Sequence, residues 1–279
     1  MTGRNVGFGP IAKQAMELRT KAEIGFDEPC DVYELIAQSN IDLQFVDIPS
    51  LEGMYLDEPE TRRICVCAHR PVGRQRYTAA HELGHCILGH GTQIDATVND
   101  LERLTSPTSA ETGADAFARY LLMPPRAVQA AFRMRGFEIN SLEPIAIYRA
   151  SCWLGVGYST LLNQMLYSLH ILRTSEHNRL SKVSPKTIKA QLTGTSTGCD
   201  VWPLDKLWAN RTLHAQIGDL IIGLGPLTAT SLVAQMCQGI YTAKSVGIAL
   251  LPLAADGTVR VCVSRAAYIG FYDYRYLPE

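Results

Sequence analysis

Apolar and polar positions change period several times along the chain, and each change predicts an element. Residues 10 to 24 put Ile11, Ala15, Leu18 and Ala22 on one helical face. Asp27 or Glu28 followed by Pro29 marks a second helix start, with Val32, Leu35 and Ile36 as its apolar side. Residues 41 to 48 alternate as a strand. Residues 63 to 68 form another, directly before a helical run bearing Ala79, Ala80, Leu83, Ile87 and Leu88, with Thr78 as its cap. A further helix runs from Ser109 through Ala114, Ala118, Leu121 and Leu122 and stops at Pro124 and Pro125. Residues 91 to 110, polar and turn-rich, connect the last two helices as a loop over the cleft between them, either a mobile lid or a plain link. Residues 138 to 172 read as two helices around a turn at 154 to 157, which is helix-turn-helix spacing. From about residue 186 short strands take over, with Asp256-Gly257 as a hairpin signal and residues 227 to 238 as a candidate helix. The expected fold class is α+β.

Composition narrows the function classes. The 279 residues are 47% hydrophobic and 19% charged, which excludes a disordered chain. A net charge of −1 gives no global attraction to nucleic acid or to an anionic membrane. The first 26 residues lack the apolar core of a leader peptide. The longest uncharged stretch, 220 to 243, is interrupted by Gly223, Gly225, Pro226, Gln235, Gln238 and Gly239, which argues against a membrane span. Eight cysteines without framework spacing fit a reduced, cytoplasmic protein.

The chemistry concentrates in RYTAAHELGHCILGH, residues 76 to 90. Histidines four apart share a helix face, so His81 and His85 can ligate one metal ion. Glu82 flanks that position and can take a proton from water. Two protein ligands rarely suffice. A third histidine in the pattern HExxHxxGxxH is excluded, because Leu88 and Gly91 stand where that pattern needs Gly and His, and His90 is one residue off. A carboxylate from the helix that begins at Ser109 is the remaining source. Glu111 lies in its first turn and Asp115 one turn on. Glu111 either binds the metal or simply favours the helix N-terminus. If it binds, Asp115 can hydrogen-bond the far nitrogen of a ligand histidine, His81 first.

These two segments, RQRYTAAHELGHCILGH and Glu111 to Pro124 read as ExxADxFARYLLMP, together resemble the ImmA/IrrE family of zinc metallopeptidases. The resemblance covers roughly residues 28 to 170. Upstream, PCDVYELIAQSNIDLQFVDIPSLEGMY has the family's layout of short helix, strand and Leu-Glu-Gly turn. The resemblance implies Zn2+ held by His81, His85 and Glu111, with Glu82 as catalytic acid/base. It implies cleavage of a helix-turn-helix repressor protein, switching on a stress, DNA-damage or antiphage operon. Asp115 departs from the family, which commonly has Asn there. The division expected is a zinc metallopeptidase domain over 1–135, a helix-turn-helix-like segment over 136–185, and a C-terminal α+β regulatory or sensor domain over 186–279.

Several features stay open at this level. Tyr120, Tyr148 and His90 are candidate oxyanion donors. Cys199, in a flexible TGTSTGCD stretch, is a candidate thiol to block an open metal position and restrain a cytosolic protease. The strand at residues 63 to 68 is expected to form a sheet edge that pairs with an extended substrate. Arg62, Arg63, Arg70, Arg74 and Arg76 form a basic cluster near the site, which reads equally as a partner surface or as a rim of ion pairs. Arg173, Arg179, Lys182, Lys186 and Lys189 form a second cluster. Together they motivate single-stranded DNA as an activator, although the second helix of the helix-turn-helix-like unit has no Lys or Arg for phosphates. Cys65, Cys67 and His69 do not make a second metal site, since no matching cysteine pair exists. The rival class is a non-catalytic zinc-containing regulator that acts by protein or nucleic-acid binding; the intact Glu82 argues against it.

Overall fold

A computed structural model describes residues 9–58, 60–96, 109–227 and 230–278. Helix α1 (Gly9–Lys21) buries Ile11 and Ala15 from the apolar stripe, and it also buries Arg19. The Arg19 guanidinium donates to the carbonyls of Leu121 at 2.6 Å and Glu28 at 2.7 Å. A cation there satisfies the open Leu121 carbonyl at the end of another helix and suits its dipole. Helix α2 (Val32–Gln38) follows, with Asp31 at its N-cap position.

Strands β1 (Asp42–Val46), β2 (Leu51–Asp57) and β3 (Arg62–Cys67) lead into the long helix α3 (Val72–Leu88). Strand β4 (Gln93–Ala96) comes next, and after the undescribed residues come α4 (Ser109–Leu122) and α5 (Pro125–Arg133). The end of the chain supplies β12 (Gly270–Phe271), and the five-stranded sheet has the order β12-β1-β3-β2-β4. Strands β1 and β3 are parallel; β2 runs antiparallel to both β3 and β4.

Two sequence expectations change here. Leu51-Glu52-Gly53 is not a turn but the start of β2, whose residues alternate between buried and half-buried from Leu51 to Leu56. Strand β3 is not the sheet edge. It lies between β1 and β2, and Ile64, Cys65, Val66 and Cys67 are all buried. A strand covered on both faces carries a continuous apolar run, so the two cysteines are core residues. The edge on the α3 side is β4, inside the region expected to be a loop; residues 97–108 of that region lie outside the described residues.

Helix α3 crosses α4 closely. A Cβ at Gly84 would sit 3.1 Å from Ala114 Cα and 3.2 Å from Phe117 Cβ, so a larger residue would push the helices apart. The helix-turn-helix-like unit is present as α6 (Pro144–Leu154) and α7 (Tyr158–Asn163), the latter continuing as a π-turn to Ser168. Its second helix turns Leu161, Leu162 and Met165 into the core. Helices α8 (Thr174–Ser181) and α9 (Pro185–Thr193) follow.

The remaining strands are β5 (Val201–Pro203), β6 (Thr212–Gln216), β7 (Leu220–Ile222), β8 (Val233–Cys237), β9 (Ile240–Ala243), β10 (Gly247–Pro252) and β11 (Thr258–Ser264). They form the sheets β5-β7-β9-β8 and β10-β11-β6. The hairpin at Asp256-Gly257 joins β10 to β11, with Gly257 at φ +104°. Within the stretch 227 to 238 expected to be a helix, residues 233–237 instead form strand β8, because the turn at Gly239 folds the chain back and gives it β9 as a partner. The fold is α+β. No helix among the described residues is long and apolar enough to cross a membrane.

Candidate metal centre

Helical periodicity carries out the first step of assembly. His81 and His85 stand one turn apart on α3, and their Nε2 atoms are 3.1 Å from each other. The close α3–α4 crossing at Gly84 then brings in Glu111. Its Oε2 lies 3.4 Å from His81 Nε2 and its Oε1 3.5 Å from His85 Nε2. Strand β4 adds a fourth group that no sequence feature pointed to. Asp95 is buried, and its Oδ2 lies 3.3 Å from His81 Nε2.

One ligand atom from each of these four residues falls within 4.8 Å of every other. Metal–ligand bonds of about 2.0–2.1 Å in a tetrahedron give edges of roughly 3.3–3.4 Å. The separations of 3.1–3.5 Å around the two histidines are of that size, and the two imidazoles and two carboxylates are a donor set compatible with Zn2+.

The charges are tightly linked. Burial opposes protonation of His81, but Asp95, Glu111 and Glu82 outweigh it and push its pKa up to about 10. Burial and the positive charge on His81 push His85 down to about 4. The hydrogen bond from His81 holds the Glu111 carboxyl below the usual range. The carboxylates thus favour positive charge at His81, and that charge disfavours a second one on His85. A metal ion would compete with protons for the same nitrogens.

Glu82 is completely buried beside the pair. Strand β2 runs directly above it, and Gly53 makes that approach possible. A Cβ at Gly53 would collide with the Glu82 carboxylate and the Thr78 methyl. A glycine inside a strand often marks such a close approach, so this residue was legible in principle once LEGMY was read as a strand.

The other candidates fall elsewhere. His90 lies behind His85, with the two Nδ1 atoms 2.9 Å apart. One ring donates and the other accepts, on the side away from the cluster, so His90 orients His85 instead of facing the metal side. Asp115 does not make the expected bond to His81. Its carboxylate accepts from Tyr77 Oη at 2.5 Å and pairs with Arg119 at 2.6 Å. Tyr77, one turn before His81 on α3, went unnoticed in the sequence. Tyr148 is buried and donates to the Val201 carbonyl at 2.8 Å, so its hydroxyl ties α6 to β5. Tyr120, on α4, is half-buried against the core. Cys199 is exposed at the start of β5, where the carbonyl of Cys199 accepts from Lys189; it is not part of the cluster.

Four of the five arginines of the first cluster are engaged within the molecule, and Arg62 is exposed. Arg70 and Arg74 pair with Glu52 at 2.9 and 2.8 Å, and Arg63 with Asp42 at 3.4 Å. Arg76 is buried and donates to the Cys30 carbonyl at 2.8 Å. In the second cluster Arg179 pairs with Glu176 and Lys189 with Asp200, while Arg173, Lys182 and Lys186 are exposed.

Comparison with known proteins addresses the same region. No curated protein matches the chain. A solved structure of a Mycobacterium tuberculosis transcriptional regulator aligns over 61% of this chain, with 16% identity and a TM-score of 0.36. The alignment spans about half of that chain, 49%. Residues 34–145 match the family model for the IrrE N-terminal-like domain, Peptidase_M78. That interval contains both histidines, Glu82, Asp95 and Glu111, and over it the chain matches the IrrE N-terminal-like domain of the Peptidase_M78 family.

Proposed function

We propose that the protein is a zinc-dependent endopeptidase that cleaves a helix-turn-helix transcriptional repressor in the cytoplasm and so derepresses a stress, DNA-damage or antiphage operon. The observation that carries this reading is a buried Glu82 beside His81, His85 and Glu111, with β2 passing over it at Gly53. In this reading His81, His85 and Glu111 hold Zn2+. When bound, the ion supplies Lewis acidity, which acidifies a water and polarises a carbonyl. Glu82 takes the proton of the attacking water and returns it to the leaving nitrogen. His90 keeps the His85 ring oriented with Nε2 toward the cluster. The C-terminal α+β part gates the activity, and single-stranded DNA acts as the trigger through the exposed Arg173, Lys182 and Lys186.

The test is cleavage of a helix-turn-helix protein encoded beside this one by wild type and by Glu82→Gln, each with zinc, with and without single-stranded DNA. The substitution removes the base and leaves the ligands, so zinc binding should persist while cleavage falls by about 10²–10⁴-fold. Equal cleavage by the two proteins would end the peptidase reading. An unchanged rate on adding DNA would remove the trigger.

Asp95 favours a second reading. Four protein donors describe a closed site, and closed sites are typical of structural zinc, whereas catalytic sites keep one position open. A non-catalytic zinc-containing regulator would have that arrangement.

A further inference from the structure

We propose that Asp95 is a fourth protein ligand of the metal, and that β4, which carries it, occupies the groove an extended peptide substrate has to enter. The inference builds on the metallopeptidase reading and explains how one chain can hold both a complete catalytic set and a closed site.

Sheet order supplies the first argument. One side of β2 is taken by β3. Its other side is the only one along which an extended peptide can pair with it over Glu82, and β4 fills that side in antiparallel register. Asp95 stands opposite Gly53, the glycine whose missing side chain lets β2 approach Glu82. The chain's own strand thus takes the place of a substrate strand and sets a carboxylate at the position a scissile carbonyl would need.

Local geometry supplies the second. Within β4, Ile94 is 64% exposed while Asp95 is 5% exposed, so the strand turns a carboxylate inward from the sheet edge. Burying a carboxylate is costly unless cations or donors meet it, and Asp95 meets the histidine cluster. The pairing with β2 is irregular at this point. Leu51 is matched with Ala96 and Gly53 with Asp95, so Glu52 is an extra residue. Bulges of this kind re-aim side chains beside functional sites. The extra Glu52 is itself fixed by Arg70 and Arg74, which holds the bulge in place. Only four residues of β4 pair with β2, which makes this the readily displaced edge of the sheet.

Opening would consist of β4 leaving β2, with Asp95 leaving the metal. A water or a substrate carbonyl would then take the vacated corner. The thiol expected to restrain the enzyme, Cys199, is unnecessary in this scheme, because Asp95 performs that restraint.

The experiment uses the full chain as wild type, Asp95→Ala and Ile94→Pro. The proline variant keeps Asp95 but removes a backbone donor and weakens the strand pairing. Zinc affinity is measured by competition with a chromogenic chelator. The Co2+-loaded proteins are titrated with acetohydroxamate, which binds an open metal position, and followed by their visible bands. Asp95→Ala should bind zinc about 10–100-fold more weakly, with altered Co2+ bands before any hydroxamate is added. Both variants should bind acetohydroxamate more tightly than wild type, by at least about tenfold. Unchanged zinc affinity and unchanged Co2+ bands in Asp95→Ala would overturn the ligand assignment. Equal hydroxamate affinity in wild type and both variants would overturn the closed groove. If the metal readouts move as expected and none of the three proteins cuts the repressor, the Asp95 assignment stands and the peptidase reading is what fails.

Discussion

At the scale of single residues, the centre depends on a few side chains and on the absence of one. Gly53 illustrates the second case. Substituting alanine forces either β2 or Glu82 to move, because the new Cβ would occupy the space of the Glu82 carboxylate. The proposed ligands lie on α3, α4 and β4, so Gly53→Ala should retain zinc. Its peptide cleavage should fall by about 10²-fold, the scale of loss for a displacement near 1 Å at a reacting group. Metal content and turnover measured on the same preparation would separate the two effects, and full turnover would show that β2 has room to spare. The histidine-glutamate pattern was legible here because helical spacing is local. Asp115 was also legible as a residue on the correct helix, but not its partner. Tyr77 and Arg119 reach its carboxylate first.

Between elements, one polar contact joins distant parts of the chain. Asp31, at the N-cap position of α2, accepts a 2.8 Å hydrogen bond from His214 Nε2 on β6, and His214 Nδ1 accepts one of 2.6 Å from Tyr276. Both bonds suit a neutral imidazole, and burial holds His214 below its usual pKa. Burial opposes ionisation of Asp31 as well, but His214 and Arg76 outweigh it and keep its carboxyl well below the ordinary value of 3.8. A carboxylate depressed on folding contributes stability that is complete above its unfolded pKa and is lost as pH falls through the folded value. Stability should therefore decline below about pH 4. Asp31→Asn should cost about 1.5–3 kcal/mol at neutral pH, and the difference from wild type should shrink in acid. Urea unfolding at pH 7 and pH 3 tests this; a constant difference would remove Asp31 from the acid response.

For the whole molecule, the chain's end belongs to the sheet that supports the metal centre. Strand β12 covers the outer edge of β1. The Arg275 guanidinium then lies 4.0 Å from the Phe45 ring centroid and donates to Gln75 at 3.3 Å, inside the same core as α3. Removal of residues 268–279 would strip the Tyr276 contact to His214 and leave β1 as an open edge. We expect a loss of about 3 kcal/mol or more from apolar burial alone, together with self-association through the exposed edge. Thermal melting and size-exclusion chromatography of the shortened chain would measure both. A truncated protein that melts with the full-length one and stays monomeric would contradict this account.

The sequence by itself determined the helix that carries His81, Glu82 and His85, the helix that carries Glu111, the helix-turn-helix-like turn and the α+β class. Each is written in a short-range pattern: a spacing of four, a cap, a proline stop, a glycine turn. Tertiary structure alone decided the sheet order, and with it that β3 is interior and β4 is the edge. It also decided that Arg63, Arg70, Arg74 and Arg76 near the site are paired or buried, and that Asp95 joins the cluster. Strand neighbours and ion-pair partners are set by packing between segments far apart in the chain. No local periodicity distinguishes an aspartate in a polar stretch that joins a buried histidine cluster from one that faces water.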